Sequence, residues 1–333
     1  MADVMIQALS WHRFNISRFS VSPDLVGITH SFNFRDRKVE IRLPALETNN
    51  DGSLRKDKIE CYSWKNRDGN LIPLKYHVYC IDVTIGVPDQ LAIPEEALKV
   101  PPKREELFTP SQKELLDQLV GSHAELAAQA IEYWLRVIRW KSHIGYIGQP
   151  RLVNHASGWR AYLQEVSNGH SFWAETAVLV VEREDPVTQE HWLATQLALT
   201  AGVKPPIWFS FLFNAEHQLE NSDRTGAVLS MAIAFEAMIR TLITRDLASG
   251  TVVDPMVLEI IDNANLRSIL NRLKKMKFWS AAWDKHADFS LFHQLMNARD
   301  RIMHSADTVA VLDKDWAKIL GCITSFAYFL DEA

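Results

Sequence analysis

The period of the apolar residues changes along this chain, and that change constrains its fold more than any other feature. From residue 8 to about residue 100, apolar and polar residues alternate as half-buried strands require. Val39, Ile41 and Leu43 alternate with Lys38, Glu40 and Arg42, and further strand-like runs lie at 59–62 and 76–85. Residues 49–53 and 66–70 each place Asp-Gly between such runs, the pattern of a tight hairpin turn, because Gly tolerates positive φ. The second turn predicts a hairpin joining 61–64 to 71–77. After Pro186 strand signals almost vanish and apolar residues recur at helical spacing.

Between these regions, Pro88, Pro94, Pro101, Pro102 and Pro110 mark surface connections. A helix is predicted from about 122 to 141, where Leu126, Ala130, Ile131, Tyr133, Trp134, Val137, Ile138 and Trp140 form a broad apolar face suited to packing on a sheet. A second hairpin is expected through Trp159, Tyr162 and Leu163, then Phe172 and Trp173, with Ser167-Asn168-Gly169 as its turn. The charged run ending at Pro186 closes this region. Helices follow at about 187–200, 206–220, 223–247, 255–276, 288–305 and 313–331. The fold class is therefore α+β, with a mixed strand and helix domain over 1–185 and an all-α helical bundle over 186–333.

At 333 residues the chain has material for about two domains. Its formal charge of -5 excludes a globally basic nucleic-acid binder, so any RNA site must be a local patch. Cys61, Cys80 and Cys322 are widely separated and lack metal-ligand spacing, which predicts free thiols, no structural metal and no cofactor. No signal peptide and no run of about 18 apolar residues stands in the sequence, so the expectation is a soluble cytoplasmic protein without a membrane partner. Glycine-rich phosphate loops, G-x-S-x-G elbows and H-E-x-x-H pairs are missing too.

The stretch that carries chemistry lies near the C-terminus, Asn297-Ala298-Arg299-Asp300-Arg301-Ile302-Met303-His304. It ends a helix whose apolar positions, Phe289, Phe292, Leu295, Met296, Ile302 and Met303, predict a core face. Asp300 sits one turn before His304 and is placed to hold its imidazole. Arg299 lies about 140° round the helix from His304, so two packed copies, or a neighbouring helix, would be needed to aim both at one atom. The same residue types also admit a purely structural reading, an Arg and Asp pair stapling helices with His304 favoured at a helix C-terminus.

The run Arg299-Asp300-Arg301-Ile302-Met303-His304 resembles the R-x4-6-H motif of the HEPN superfamily, small helical bundles many of which are metal-independent, dimeric ribonucleases. The apolar helix over 227–240, with Glu236 embedded in it, resembles the long first helix of that family. The likeness spans about the last 110 residues. It implies that His304 moves a proton, Arg299 holds the scissile phosphate and Asp300 orients His304, giving a 2',3'-cyclic phosphate. Those residue types suit the work: imidazole transfers protons near neutral pH and guanidinium binds phosphate in a bidentate manner.

A carboxylate in an apolar helix is costly unless paired, so Glu236 is expected to support the site through an Arg such as Arg299. Arg301 is a further phosphate contact or a solvated residue. Arg272, Lys274 and Lys275, with Arg267, Lys277 and Phe278-Trp279, form a basic stretch that could contact RNA. His123, His143, His155 and His170 read as turn or packing residues.

The resulting expectation is an endoribonuclease acting on RNA, tRNA included, as a homodimer through its C-terminal bundle. The resemblance adds a toxin or anti-phage role, with a phage or antitoxin partner, and leaves residues 1–185 to recognise a trigger or substrate. The alternatives are a non-catalytic bundle that binds a nucleotide or protein, and a sensor without enzymatic activity.

Overall fold

The computed structural model describes residues 3–48, 55–88, 90–98, 108–148, 162–164, 171–173, 185–221, 223–250, 269, 288–305 and 315–332. Strand-rich and helix-rich regions follow one another, an α+β architecture. The strands β1 (Asp3–Ile6), β2 (Leu9–Asn15), β3 (Ser20–Val21), β4 (Thr29–Phe34), β5 (Arg37–Arg42), β6 (Ile59–Lys65), β7 (Leu71–Val78), β8 (Cys80–Gly86) and β9 (Leu91–Pro94) come first. An antiparallel sheet runs β2-β8-β5-β4, a second runs β3-β7-β6, and β1 pairs with β9. Because β7 and β8 are separated only by Tyr79, one long extended segment passes from the second sheet into the first.

The hairpin expected at 66–70 forms between β6 and β7, with Gly69 at φ 85° and the Asn66 side chain accepting from the backbone of Asp68 and Asn70. The turn expected at 49–53 lies outside the described residues; beside it the Arg55 N–H donates to the Glu47 carbonyl at 2.7 Å, while β5 pairs with β4 and β8 and β6 with β7. Charged residues make the tight turn that sequence reading missed. Arg35 and Asp36, at φ 48° and 62°, link β4 to β5 in the doubly left-handed backbone that a two-residue hairpin uses, without the usual Asn-Gly.

Helix α1 (Pro110–Ser142) is 33 residues long and starts with a capping box between Thr109 and Gln112, Pro110 standing where its missing N–H costs nothing. Its body lies on β2 and β8, as its aromatic face predicts. Trp134 is fully buried, edge-on to Phe19 at 5.8 Å. Its C-terminal end reaches beyond the sheets: Trp140 Nε1 donates to Asp331 at 2.8 Å, and His143 stacks on Tyr328 at 3.5 Å.

The remaining helices are α2 (Gln189–Thr200), α3 (Ile207–Glu220), α4 (Arg224–Gly250), α5 (Phe289–Ser305) and α6 (Trp316–Glu332). The sequence assigned α2 to the bundle, yet it packs on α1 and β4, where Trp192 stacks on His30 at 3.5 Å and Gln196 bonds both backbone groups of Ser31. Helices α3 to α6 pack on one another around Phe209, Phe235, Phe292 and Phe326, each almost fully buried. Strands β10 (Tyr162–Gln164) and β11 (Ser171–Trp173) pair antiparallel where the second hairpin was expected, with Leu163 opposite Phe172. Of the helix expected at 255–276 only Ile269 is described, helical and buried, and the turn at 167–169 lies outside the described residues. Among the described residues no helix is long and apolar enough to cross a membrane.

Candidate functional site

Helix α5 buries one stripe and offers the other to water. Phe292, Leu295, Met296 and Ala298 are buried, and Phe292 meets Phe235 of α4 at 4.3 Å and Phe326 of α6 at 5.9 Å. These contacts fix the rotation of the helix. Arg299 and Asp300 fall at the margin, with side chains 36% and 35% exposed, and Arg301 and His304 lie fully on the solvent side. Met303, expected in the core, is 59% exposed, because it sits one turn beyond Arg299 on the face that the bundle does not cover.

Two expected pairings are replaced by others. Asp300 accepts from Arg299 Nη1 at 3.0 Å, and among the described residues no hydrogen bond joins it to His304. Asp300 thus restrains the arginine. Glu236 is bound by Arg240, one turn along α4, at 2.8 Å, and not by Arg299. The physical reason is that α4 is not buried all round. Ile233 is 47% exposed, and Glu236, Ala237 and Arg240 are half-buried, which makes a narrow wet stripe at i, i+3, i+4 and i+7. On that stripe a carboxylate keeps part of its hydration and needs only a local partner.

The arrangement on α5 is thus an accessible guanidinium and an accessible imidazole on one bundle edge, the first steadied by a neighbouring carboxylate. It can bind an anion and exchange a proton, and the two groups diverge around the helix as their spacing dictates. Arg272, Lys274 and Lys275 lie outside the described residues. So do His155 and His170, whereas His123 is buried on α1 and His143 is the left-handed C-cap of that helix. Among the described residues no three His, Cys, Asp or Glu side chains gather as a metal site requires, and all three cysteines are free thiols.

A second group of titratable residues, not foreseen from sequence, lies where the sheets meet the bundle. Arg18, in the bend between β2 and β3 with φ 53°, forms a two-pronged ion pair with Glu220 of α3, its Nη2 donating at 2.8 Å. Its guanidinium lies 4.3 Å over the ring of Tyr146. Glu216, one turn before Glu220, is pressed against Gly145, where any Cβ would collide with its carboxylate and stand 2.6 Å from Phe213. Burial, with repulsion from Glu220 and only partial relief from Arg18, lifts its pKa to about 7. Nearby, the Tyr328 hydroxyl is buried and has no hydrogen-bond partner among the described residues, and burial, Glu216 and Asp331 hold its proton on well above the usual phenol range. The signal that could have revealed this group is two like charges one turn apart in an apolar helix, Glu216 and Glu220.

No protein-family model, curated protein or solved structure matches this chain.

Proposed function

We propose that the chain is a metal-independent endoribonuclease of HEPN type, acting in the cytoplasm as a homodimer whose two α5 edges face each other. The observation that carries this reading is that Arg299, half-exposed, and His304, exposed, lie at the edge of a helix whose other face is locked into the bundle. Two copies related by a twofold axis would bring Arg299 of one near His304 of the other, which one helix cannot do alone. In that cleft His304 moves the proton of the 2'-hydroxyl or of the leaving oxygen, and Arg299, steadied by Asp300, holds the phosphate as its charge grows. Glu236 acts at a distance, by bracing α4 through Arg240. A toxin or anti-phage role, with an antitoxin or phage partner, extends the same resemblance.

The deciding experiment is cleavage of total RNA and of a tRNA pool in EDTA by the parent, Arg299→Ala and His304→Ala. Cleavage by the parent alone, ending in 2',3'-cyclic phosphate, supports the reading. Undiminished cleavage by pure, folded His304→Ala sinks it. The tether between Arg299 and Asp300 favours one other reading, a non-catalytic bundle in which this pair positions a bound nucleotide or protein. That reading gains if the parent binds RNA or nucleotide but leaves RNA intact.

A further inference from the structure

Hairpin β6–β7 leaves the body of the protein as it runs toward its turn. At its base Ile59, Tyr76 and Val78 are buried. Past Cys61 every residue of β6 is exposed, and on β7 so are Leu71 to Leu74. The register sets Glu60 opposite His77, Tyr62 opposite Lys75 and Trp64 opposite Ile72, and directly opposed residues share a face. Tyr62, Trp64 and Ile72 on this face are 47%, 50% and 39% exposed. The Lys75 ammonium lies 5.6 Å from the Tyr62 ring, His77 stands 6.4 Å from Tyr62, and Tyr79 continues the row 5.0 Å from His77.

Single exposed apolar residues on a surface are ordinary, but Tyr62, Trp64 and Ile72 exposed together, with half-buried His77 and Tyr79 continuing from Tyr62, are not. Charge decides which partner suits it. Residues 55–75 hold six Lys or Arg against three Asp or Glu, in a chain whose formal charge is -5. Arg55, Lys56 and Lys58, near the base, are already matched by Glu47, Asp57 and Glu60. Lys65 and Arg67, at the tip, are exposed and make no ion pair among the described residues. The outer half of the hairpin is therefore both aromatic and cationic, whereas an apolar protein partner would ask for the first property only.

We infer that the open face of hairpin β6–β7 is a platform for single-stranded RNA, with bases stacking on Trp64 and Tyr62 and phosphates meeting Lys75 on that face and Lys65 and Arg67 at the tip. Tyr62 and Trp64 are two residues apart on an extended strand, about 6.6–6.8 Å, which gives each ring room for its own base. Stacking on aromatic rings beside cations captures single strands with little sequence preference, and it excludes a duplex, whose bases are covered by one another. RNA capture stands on the hairpin alone; only the step from captured RNA to cleaved RNA rests on the ribonuclease reading.

The test uses the full chain carrying His304→Ala, so that RNA survives, with labelled single-stranded oligouridylate and a duplex RNA of equal length followed by fluorescence anisotropy. Tight, salt-sensitive binding of the single strand is expected, weakened about 5- to 150-fold by Trp64→Ala and largely kept by Trp64→Phe. Replacing both Lys65 and Arg67 by Ala should flatten the dependence of log K on log salt by about 1.4. Absence of single-strand binding at low salt, equal binding by Trp64→Ala, or preference for the duplex would each overturn the inference. So would a self-association seen by sedimentation and lost in Trp64→Ala without RNA binding, which would give the face to a second copy. Cleavage by the chain with native His304 is read separately: binding without cleavage leaves the platform standing and removes the ribonuclease, and cleavage without any effect of Trp64→Ala does the reverse.

Discussion

Trp134 donates its indole hydrogen to Nδ1 of His30 across 2.8 Å at the centre of the layer between sheet and helices. The other ring nitrogen, Nε2, lies 3.0 Å from the Trp192 carbonyl and must donate to it, since a carbonyl can only accept. Both contacts are satisfied by the neutral imidazole alone. Protonating Nδ1 would set two donors against each other in a site with no exposure to water. Burial accordingly lowers the His30 pKa to about 4 from an ordinary 6.5, only partly resisted by the Trp192 carbonyl.

His30 therefore contributes stability that is full above pH 6.5 and is lost as pH falls toward 4, about 3 kcal/mol over that window. Denaturant titrations from pH 4 to 8 should detect it. His30→Gln should be less stable than the parent at pH 7, and the difference should shrink toward pH 4. A difference independent of pH would show that His30 has the same pKa in the folded and unfolded chains, against the effect of its burial.

Glu216 works in the opposite sense. Its folded pKa of about 7 exceeds the ordinary 4.5, so the stability it supplies is present below pH 4.5 and is lost as pH rises through 7. Glu216→Gln should match the parent at pH 4.5 and exceed it at pH 8, by on the order of 1–3 kcal/mol, the lower part of that range reflecting its partial exposure. The two residues offset each other between pH 4.5 and 6.5, where the parent should show little slope from either. Each variant then unmasks the slope of the other: the profile of Glu216→Gln climbs with pH and that of His30→Gln declines. Parallel profiles for the two variants would defeat the assignment of either group.

Local pattern made some of this architecture legible and long-range packing hid the rest. The alternation in β5 and the apolar face of α1 are properties of neighbouring residues, so they could be read directly. The placement of α2 on β4 depends on Trp192 finding His30, 162 residues away in sequence, which no local period encodes. On the candidate site, the spacing of Arg299 and His304 foretold their divergence around the helix. Their partners were not foretold, because whether Glu236 needs Arg299 depends on how far α4 is covered. Its wet stripe is set by how α3, α5 and α6 pack around it, and the apolar composition of 227–240 conceals it. Glu216 escaped notice because its environment is built by Gly145 and Tyr328 from two other elements.

Met303 offers the sharpest test of the twofold arrangement. Its side chain is 59% exposed, one turn from Arg299 and next to His304, so a charged replacement should leave the bundle core intact. A dimer formed through this edge of α5 would bury Met303 against its mate, and a carboxylate there would bring two like charges together in a drying interface. Met303→Asp should keep the parent's helical circular dichroism and melting temperature as a monomer, while sedimentation equilibrium shows at least a tenfold weaker self-association, the effect of about 1.4 kcal/mol. RNA cleavage should fall with the dimer and return as protein concentration is raised. Full cleavage by a strictly monomeric Met303→Asp would mean that one copy of Arg299 and His304 suffices, and that the divergence of the two side chains is bridged by motion within a single bundle.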